Sequence, residues 1–273
     1  MALAHFRKPT GRHGKTQNAM SSRLARLNQR FAQGYDISNY RVIDTKYGTI
    51  EDVDALKEKL RERDMKLVLD LVVNHTSDQH EWFKQSRRSK DNPYRDWYIW
   101  KPPKYDAEGK RQPPNNWSAI FQGICCHPLP RWDGILTPHL GDAWEFDEHT
   151  GEYYLHLFCK EQPDLNWENP AVRAAVHDLM RFWLDRGIDG FRMDVINFIS
   201  KDQAFPDSES GSGAEYYACG PRLHEYLKDL GALLESYNAM SVGEMPCVTD
   251  TNEIIKSVKA DRGELNMIFH FEL

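Results

Sequence analysis

Residues 67–73 are apolar at every position but Asp70 and run directly into Asn74 and His75. A short apolar run without polar alternation marks a parallel strand covered on both faces. That requirement constrains the fold most, because such a strand needs helices on either side of its sheet. The flanking sequence supplies them. Thr49 followed by Asp52 forms a capping box, and Ile50, Val53, Leu56 and Leu60 then recur on one helical face. Asn169 before Pro170 opens a second helix in N-cap and first-turn order, and Gly187 ends it. Further strands are predicted at 188–196, 240–243 and 265–271, separated by helices at about 221–236 and 252–259. Strands alternating with helices predict a parallel α/β fold.

Two of these strands end in acids. Gly190-Phe191-Arg192-Met193-Asp194-Val195-Ile196-Asn197 carries Asp194, and Val242-Gly243-Glu244-Met245-Pro246 carries Glu244. Taken alone, an acid at a strand end is more often a cap or a surface charge. Arg192 weakens that reading, since residues two apart on a strand share a face and a cation there favours an ionised, oriented carboxylate. Two carboxyl groups about 5–5.5 Å apart are what glycosidic cleavage with retention requires.

These two segments, with Asp70-Leu71-Val72-Val73-Asn74-His75 and Gln162-Pro163-Asp164-Leu165-Asn166-Trp167, closely resemble the signature segments of the α-amylase superfamily. The similarity is greatest to its oligo-1,6-glucosidase and α-glucosidase (maltase) branch and runs from about Gly34 onward. It implies a (β/α)₈ barrel, of which the visible strands resemble the third to the sixth. It also implies retaining hydrolysis of terminal α-linked glucose from oligosaccharides, with Asp194 as nucleophile and Glu244 as acid/base. Arg192 matches the cation beside the nucleophile, and Asp36 and His75 match residues that hydrogen-bond the non-reducing glucose. A valine directly after the nucleophile, here Val195, resembles enzymes that cleave α-1,6 bonds, whereas threonine there resembles those preferring α-1,4 bonds. Asp70, at a strand start, reads as structural. A non-catalytic relative, a trehalose-6-phosphate hydrolase and a sucrose isomerase share most of these motifs and stay open as alternatives.

The expected organisation has four parts. Residues 1–33 hold seven Lys and Arg residues and no acid, and read as a non-homologous basic stretch joined to the enzyme. Residues 34–75 and 167–273 form the barrel part, and 76–166 an inserted, loop-rich subdomain. Within that insertion 124–142 is atypical, with Cys125, Cys126 and three prolines. Six tryptophans fall in the insertion, and packing is the expected role for most of them. What remains outside the insertion is well short of the roughly 250 residues of a complete barrel, and no Asn-His-Asp, the family's setting for a third acid, occurs in the sequence. The chain therefore reads as a fragment with weak or no turnover.

Other classes find little support. A net charge of -6 gives nucleic acid no basic footprint, and no apolar run approaches membrane-spanning length. Five cysteines without ligand spacing favour a reducing, cytoplasmic setting. No metal or cofactor is expected, and the partner is an oligosaccharide of isomaltose or maltose type bound by a monomer.

Overall fold

The structure is a computed structural model that describes residues 34–120 and 141–269, together with the backbone of residues 3–7. In chain order its strands are β1 (Leu3–Arg7), β2 (Met65–Val72), β3 (Trp100–Lys101), β4 (Lys104–Tyr105), β5 (Arg111–Gln112), β6 (Trp144–Asp147), β7 (Glu152–Leu155), β8 (Gly190–Asp194), β9 (Met240–Glu244) and β10 (Met267–Phe269). The α-helices are α1 (Ile50–Arg61), α2 (Glu81–Ser86), α3 (Pro170–Asp185), α4 (Ala214–Tyr217), α5 (Leu223–Ser236) and α6 (Thr251–Val258).

One sheet organises the molecule, in the order β1-β2-β8-β9-β10. Its last four strands are mutually parallel, as the apolar runs require, and α3, α5 and α6 connect them. The edge strand β1 runs antiparallel to β2 and had no counterpart in the sequence reading. Helix caps form as expected. Thr49 and Asp52 close a reciprocal capping box on α1, and the Asn169 side chain accepts from the Ala171 N–H at the start of α3.

One predicted boundary is corrected. The strand at 188–196 stops at Asp194, because Val195 turns into the left-handed region (φ 36°) and a 3₁₀ turn, Ile196–Phe198, follows. Gly190 at the other end sits so close to β9 that a Cβ would meet the Met240 carbonyl oxygen at 2.1 Å. Only glycine allows that approach.

The core between sheet and helices is built from residues such as Leu67, Leu69, Leu71, Trp183, Phe191, Met193, Tyr226 and Leu230. A second apolar cluster joins segment 76–166 to the region after β8: Trp117, Trp144, Leu155 and Leu157 pack against Val195, Phe198, Phe205 and Tyr217. It fastens the subdomain onto the loop that follows β8. The small β3-β7-β6 sheet and the β4-β5 hairpin complete the insertion. Ala119 N–H donates to the Gly141 carbonyl at 3.0 Å. The expectations for 8–33, for 121–140 with Cys125 and Cys126, and for residues beyond 269 lie outside the described residues.

Candidate active site

Parallel register decides which side chains meet. Asp70 pairs with Arg192 and Val72 with Asp194 across β2 and β8, while β9 brings Glu244 to the same end of the sheet. The result is one guanidinium among three carboxylates. Arg192 Nη1 donates to Asp70 Oδ1 at 2.8 Å and to Asp194 Oδ1 at 2.5 Å, and Nη2 donates to Glu244 Oε2 at 2.5 Å. The Val195 N–H adds a bond of 3.2 Å to the same Glu244 oxygen. A β-branched residue with positive φ is strained, and here the strained turn aims that N–H at Glu244. The side chain of Val195 packs into the subdomain cluster, so the residue reaches the acids through its backbone.

All three acids are buried. Burial is the largest influence on Asp194 and pushes its carboxyl well above the usual range; Arg192 opposes this, while Asp70 and Glu244 push it further. Burial likewise raises Asp70 against the pull of Arg192. For Arg192, burial disfavours the charge but the surrounding carboxylates outweigh it and raise its pKa. The rings of Tyr35 and Phe269 cover the guanidinium at 5.6 and 5.4 Å. Tyr35 itself is pushed up to about 12, by burial first and by Asp70 next.

Beside this cluster lies a buried polar network. His75 Nδ1 accepts from Asn74 Nδ2 at 3.2 Å, and Nε2 meets the Tyr35 carbonyl at 3.0 Å with the Gln162 amide at 3.1 Å. Both ring nitrogens are thus engaged within the protein, and burial pulls the imidazole down to about 4, leaving it neutral at pH 7. Behind His75, Lys201 Nζ reaches Asp164 Oδ2 and Asn74 Oδ1, each at 3.0 Å, and the Phe198 carbonyl at 2.6 Å. Asp36 is also buried, in the same loop as Tyr35.

Of the residues singled out by sequence, Asp194, Glu244 and Arg192 come together directly, with Val195 joining by its N–H. Asp36 and His75 lie on the neighbouring loop and strand end. Asp70, read as structural at a strand start, instead lies well inside β2, where it accepts from Arg192 beside Asp194 and Glu244. Tyr35, Gln162 and Lys201 were missed. Among the described residues there is no group of three or more His, Cys, Asp or Glu able to hold a metal ion. Nor is any helix among them long and apolar enough to cross a membrane.

A parallel α/β sheet whose strand ends gather two acids around one arginine defines a class, and comparison with known proteins agrees on which. The α-amylase catalytic domain model matches residues 23–273, and the chain belongs to that family. It is 58% identical over 246 residues to an α-glucosidase of Schizosaccharomyces pombe and 52% identical over 246 residues to an oligo-1,6-glucosidase of Parageobacillus thermoglucosidasius. These alignments cover 88% of this chain and 39% and 40% of the relatives. Among solved structures, the trehalose-6-phosphate hydrolase of Bacillus licheniformis superposes with a TM-score of 0.79 at 43% identity, covering 91% of this chain and 41% of that one. The isomaltulose synthase of Protaminobacter rubrum gives 0.79 at 40% identity, covering 92% and 41%. The chain spans about 40% of the length of the curated relatives it matches.

Proposed function

We propose that these residues carry out retaining hydrolysis of a terminal α-linked glucose, as part of a (β/α)₈ barrel in which β2, β8, β9 and β10 stand as the third to sixth strands. The observation that carries the reading is the single guanidinium bonded to both Asp194 and Glu244 at 2.5 Å. One guanidinium bridging two carboxyls keeps them within a few ångström of each other, a reach that includes the ~5–5.5 Å separation of retaining enzymes.

In the first step an Asp194 oxygen attacks the anomeric carbon as its bond to the leaving oxygen breaks, and Glu244 gives that oxygen a proton. In the second, Glu244 takes a proton from water, whose oxygen displaces Asp194 from the same carbon. Arg192 and the Val195 N–H fix the two carboxyls throughout. Asp36 contacts the glucose hydroxyls, and His75 does so by exchanging its bond to the Tyr35 carbonyl for one to the sugar. Preference for α-1,6 over α-1,4 linkages is inferred from the resemblance that Val195 carries; its buried side chain packs beside the acids and would act on the leaving-sugar subsite through that packing.

The test uses a chimera in which residues 34–269 replace the matching segment of the Schizosaccharomyces pombe relative. Proton NMR of isomaltose hydrolysis should show α-glucose appearing first; β-glucose appearing first excludes retention. Isomaltose should be preferred over maltose, and Val195→Thr should shift the kcat/KM ratio toward maltose by roughly one to two powers of ten, within the ~1–3 kcal/mol one such group supplies. An unchanged ratio removes Val195 as the determinant.

A further inference from the structure

Between the loop 38–41, α2 and α3 lies a cavity of about 380 Å³ that plays no part in the acid cluster. Its walls are the rings of Tyr40, His80, Trp82 and Trp97, with Arg41, Asp178 and Glu81 at the polar side and Ala175 on α3. We propose that this cavity is a second saccharide-binding site, built to take a neutral pyranose.

The chemistry of the walls selects that ligand. The volume falls in the ~300–1,000 Å³ range of small-molecule sites. Trp82 and Trp97 are packed together at 4.8 Å between centroids, and Trp82 meets His80 at 4.4 Å, yet both tryptophans remain partly exposed. Half-buried aromatic rings present negative π faces, which suit the C–H face of a sugar ring. Hydroxyl groups then need donors and acceptors, and the cavity offers both. Neither indole N–H of Trp82 and Trp97 has a hydrogen-bond acceptor among the described residues. His80 is buried to 6% exposure, and its Nδ1 accepts from the Trp82 N–H at 3.1 Å. The proton of the neutral ring therefore sits on Nε2, which has no partner among the described residues. Burial pulls this imidazole down to about 4 and keeps it neutral at pH 7. Asn39 spends its Oδ1 on the Arg41 N–H at 2.9 Å and leaves its amide N–H₂ to the cavity rim.

A cationic ligand is the competing occupant of an aromatic cage. The cavity also carries the Glu81 carboxylate, but that acid accepts from Gln85 Nε2 at 2.5 Å and Asp178 is paired with Arg41, and a cation cannot use the N–H donors, so it is disfavoured. The site also touches β2, since Tyr40 donates its hydroxyl to the Val72 carbonyl at 2.8 Å, with the His75 carbonyl 3.2 Å from the same oxygen. The inference is independent of the hydrolytic reading: a chain without turnover can still bind here.

Isothermal titration of the 273-residue chain with isomaltose, in the presence of a saturating iminosugar to occupy the acid cluster, tests it. One binding event with a change in tryptophan fluorescence is expected. Ala175→Phe fills the cavity from α3 without removing a core contact, and Trp97→Ala removes a wall; each should weaken the event at least tenfold, with far-UV circular dichroism confirming that the variants fold. Absence of binding, or equal binding by Ala175→Phe, overturns the proposal. A response to tetramethylammonium but not to isomaltose overturns it in favour of a cation site.

Discussion

Replacing Lys201 with methionine keeps the length of an apolar stem and deletes one buried ammonium. The consequences can be worked out from its surroundings. Lys201 and Asp164 have side chains 1% and 0% exposed, at 3.0 Å from each other. Burial lowers the Lys201 pKa even with Asp164 beside it, so desolvation offsets much of the attraction and the intact pair adds little net stability. Removing one partner is different. Asp164 would keep only neutral donors, the Leu157 N–H at 3.0 Å and Asn74 Nδ2 at 3.1 Å, and an uncompensated buried charge costs about 3–5 kcal/mol. With ~1 kcal/mol shifting Tm by roughly 2–4 °C in a domain of 150–250 residues, Lys201→Met should lower Tm by roughly 6–20 °C. Adding Asp164→Asn removes the orphaned charge and should recover more than half of the loss. Calorimetry at pH 7 on the wild type, both single variants and the double variant closes the cycle. A loss below about 1 kcal/mol for Lys201→Met, or strictly additive single effects, would refute the reasoning, because both contradict a buried pair behaving as described.

The acid cluster yields three more expectations. Asp194 has a raised folded pKa, so it holds its proton better folded than unfolded; that contribution is present at low pH and is lost as pH rises above the ordinary aspartate range. Asp194→Asn should therefore raise Tm at pH 7, by roughly 2–4 °C for ~1 kcal/mol, while abolishing turnover; a lowered Tm would contradict a buried carboxyl whose charged form is disfavoured. In the chimera, Glu244→Gln should lose far less activity on aryl glucosides with good leaving groups than on isomaltose, since only the latter needs its leaving oxygen protonated; equal losses would remove the acid role. The acid limb of kcat/KM should lie above the ordinary aspartate value of about 3.9, and Asp70→Asn, by deleting a carboxylate that raises Asp194, should move it to lower pH. An unmoved limb would detach Asp70 from the titration.

Much of this was legible because it rests on local pattern. Apolar runs marked β2, β8 and β9, caps marked α1 and α3, and a two-residue strand offset put Arg192 beside Asp194. What escaped notice depends on register and distance. Asp70 looked like a strand-start residue until parallel pairing set it opposite Arg192. Lys201 and Asp164 meet across 37 positions through loops without periodicity. Val195 and Ile196 read as strand because β-branched residues favour strands, but the bond from the Val195 N–H to Glu244 requires a turn there, and tertiary demand prevailed. The strands of the insertion, two to four residues long, are too short for alternation to register. Trp117 and Trp144 do pack as expected, whereas Trp82 and Trp97 line an open cavity that composition alone could not distinguish from core.

The central claim is that Asp194 forms the covalent intermediate while Glu244 handles the proton. Trapping decides it most directly. The chimera is incubated with a fluorinated α-glucosyl fluoride, which slows release of the glycosyl-enzyme, then digested and mapped by mass spectrometry. The account predicts one fluoroglucosyl adduct, on the peptide containing Asp194 and at that residue, absent from Asp194→Asn. An adduct on Asp70 or Glu244, or no adduct in a chimera that hydrolyses isomaltose, would contradict it.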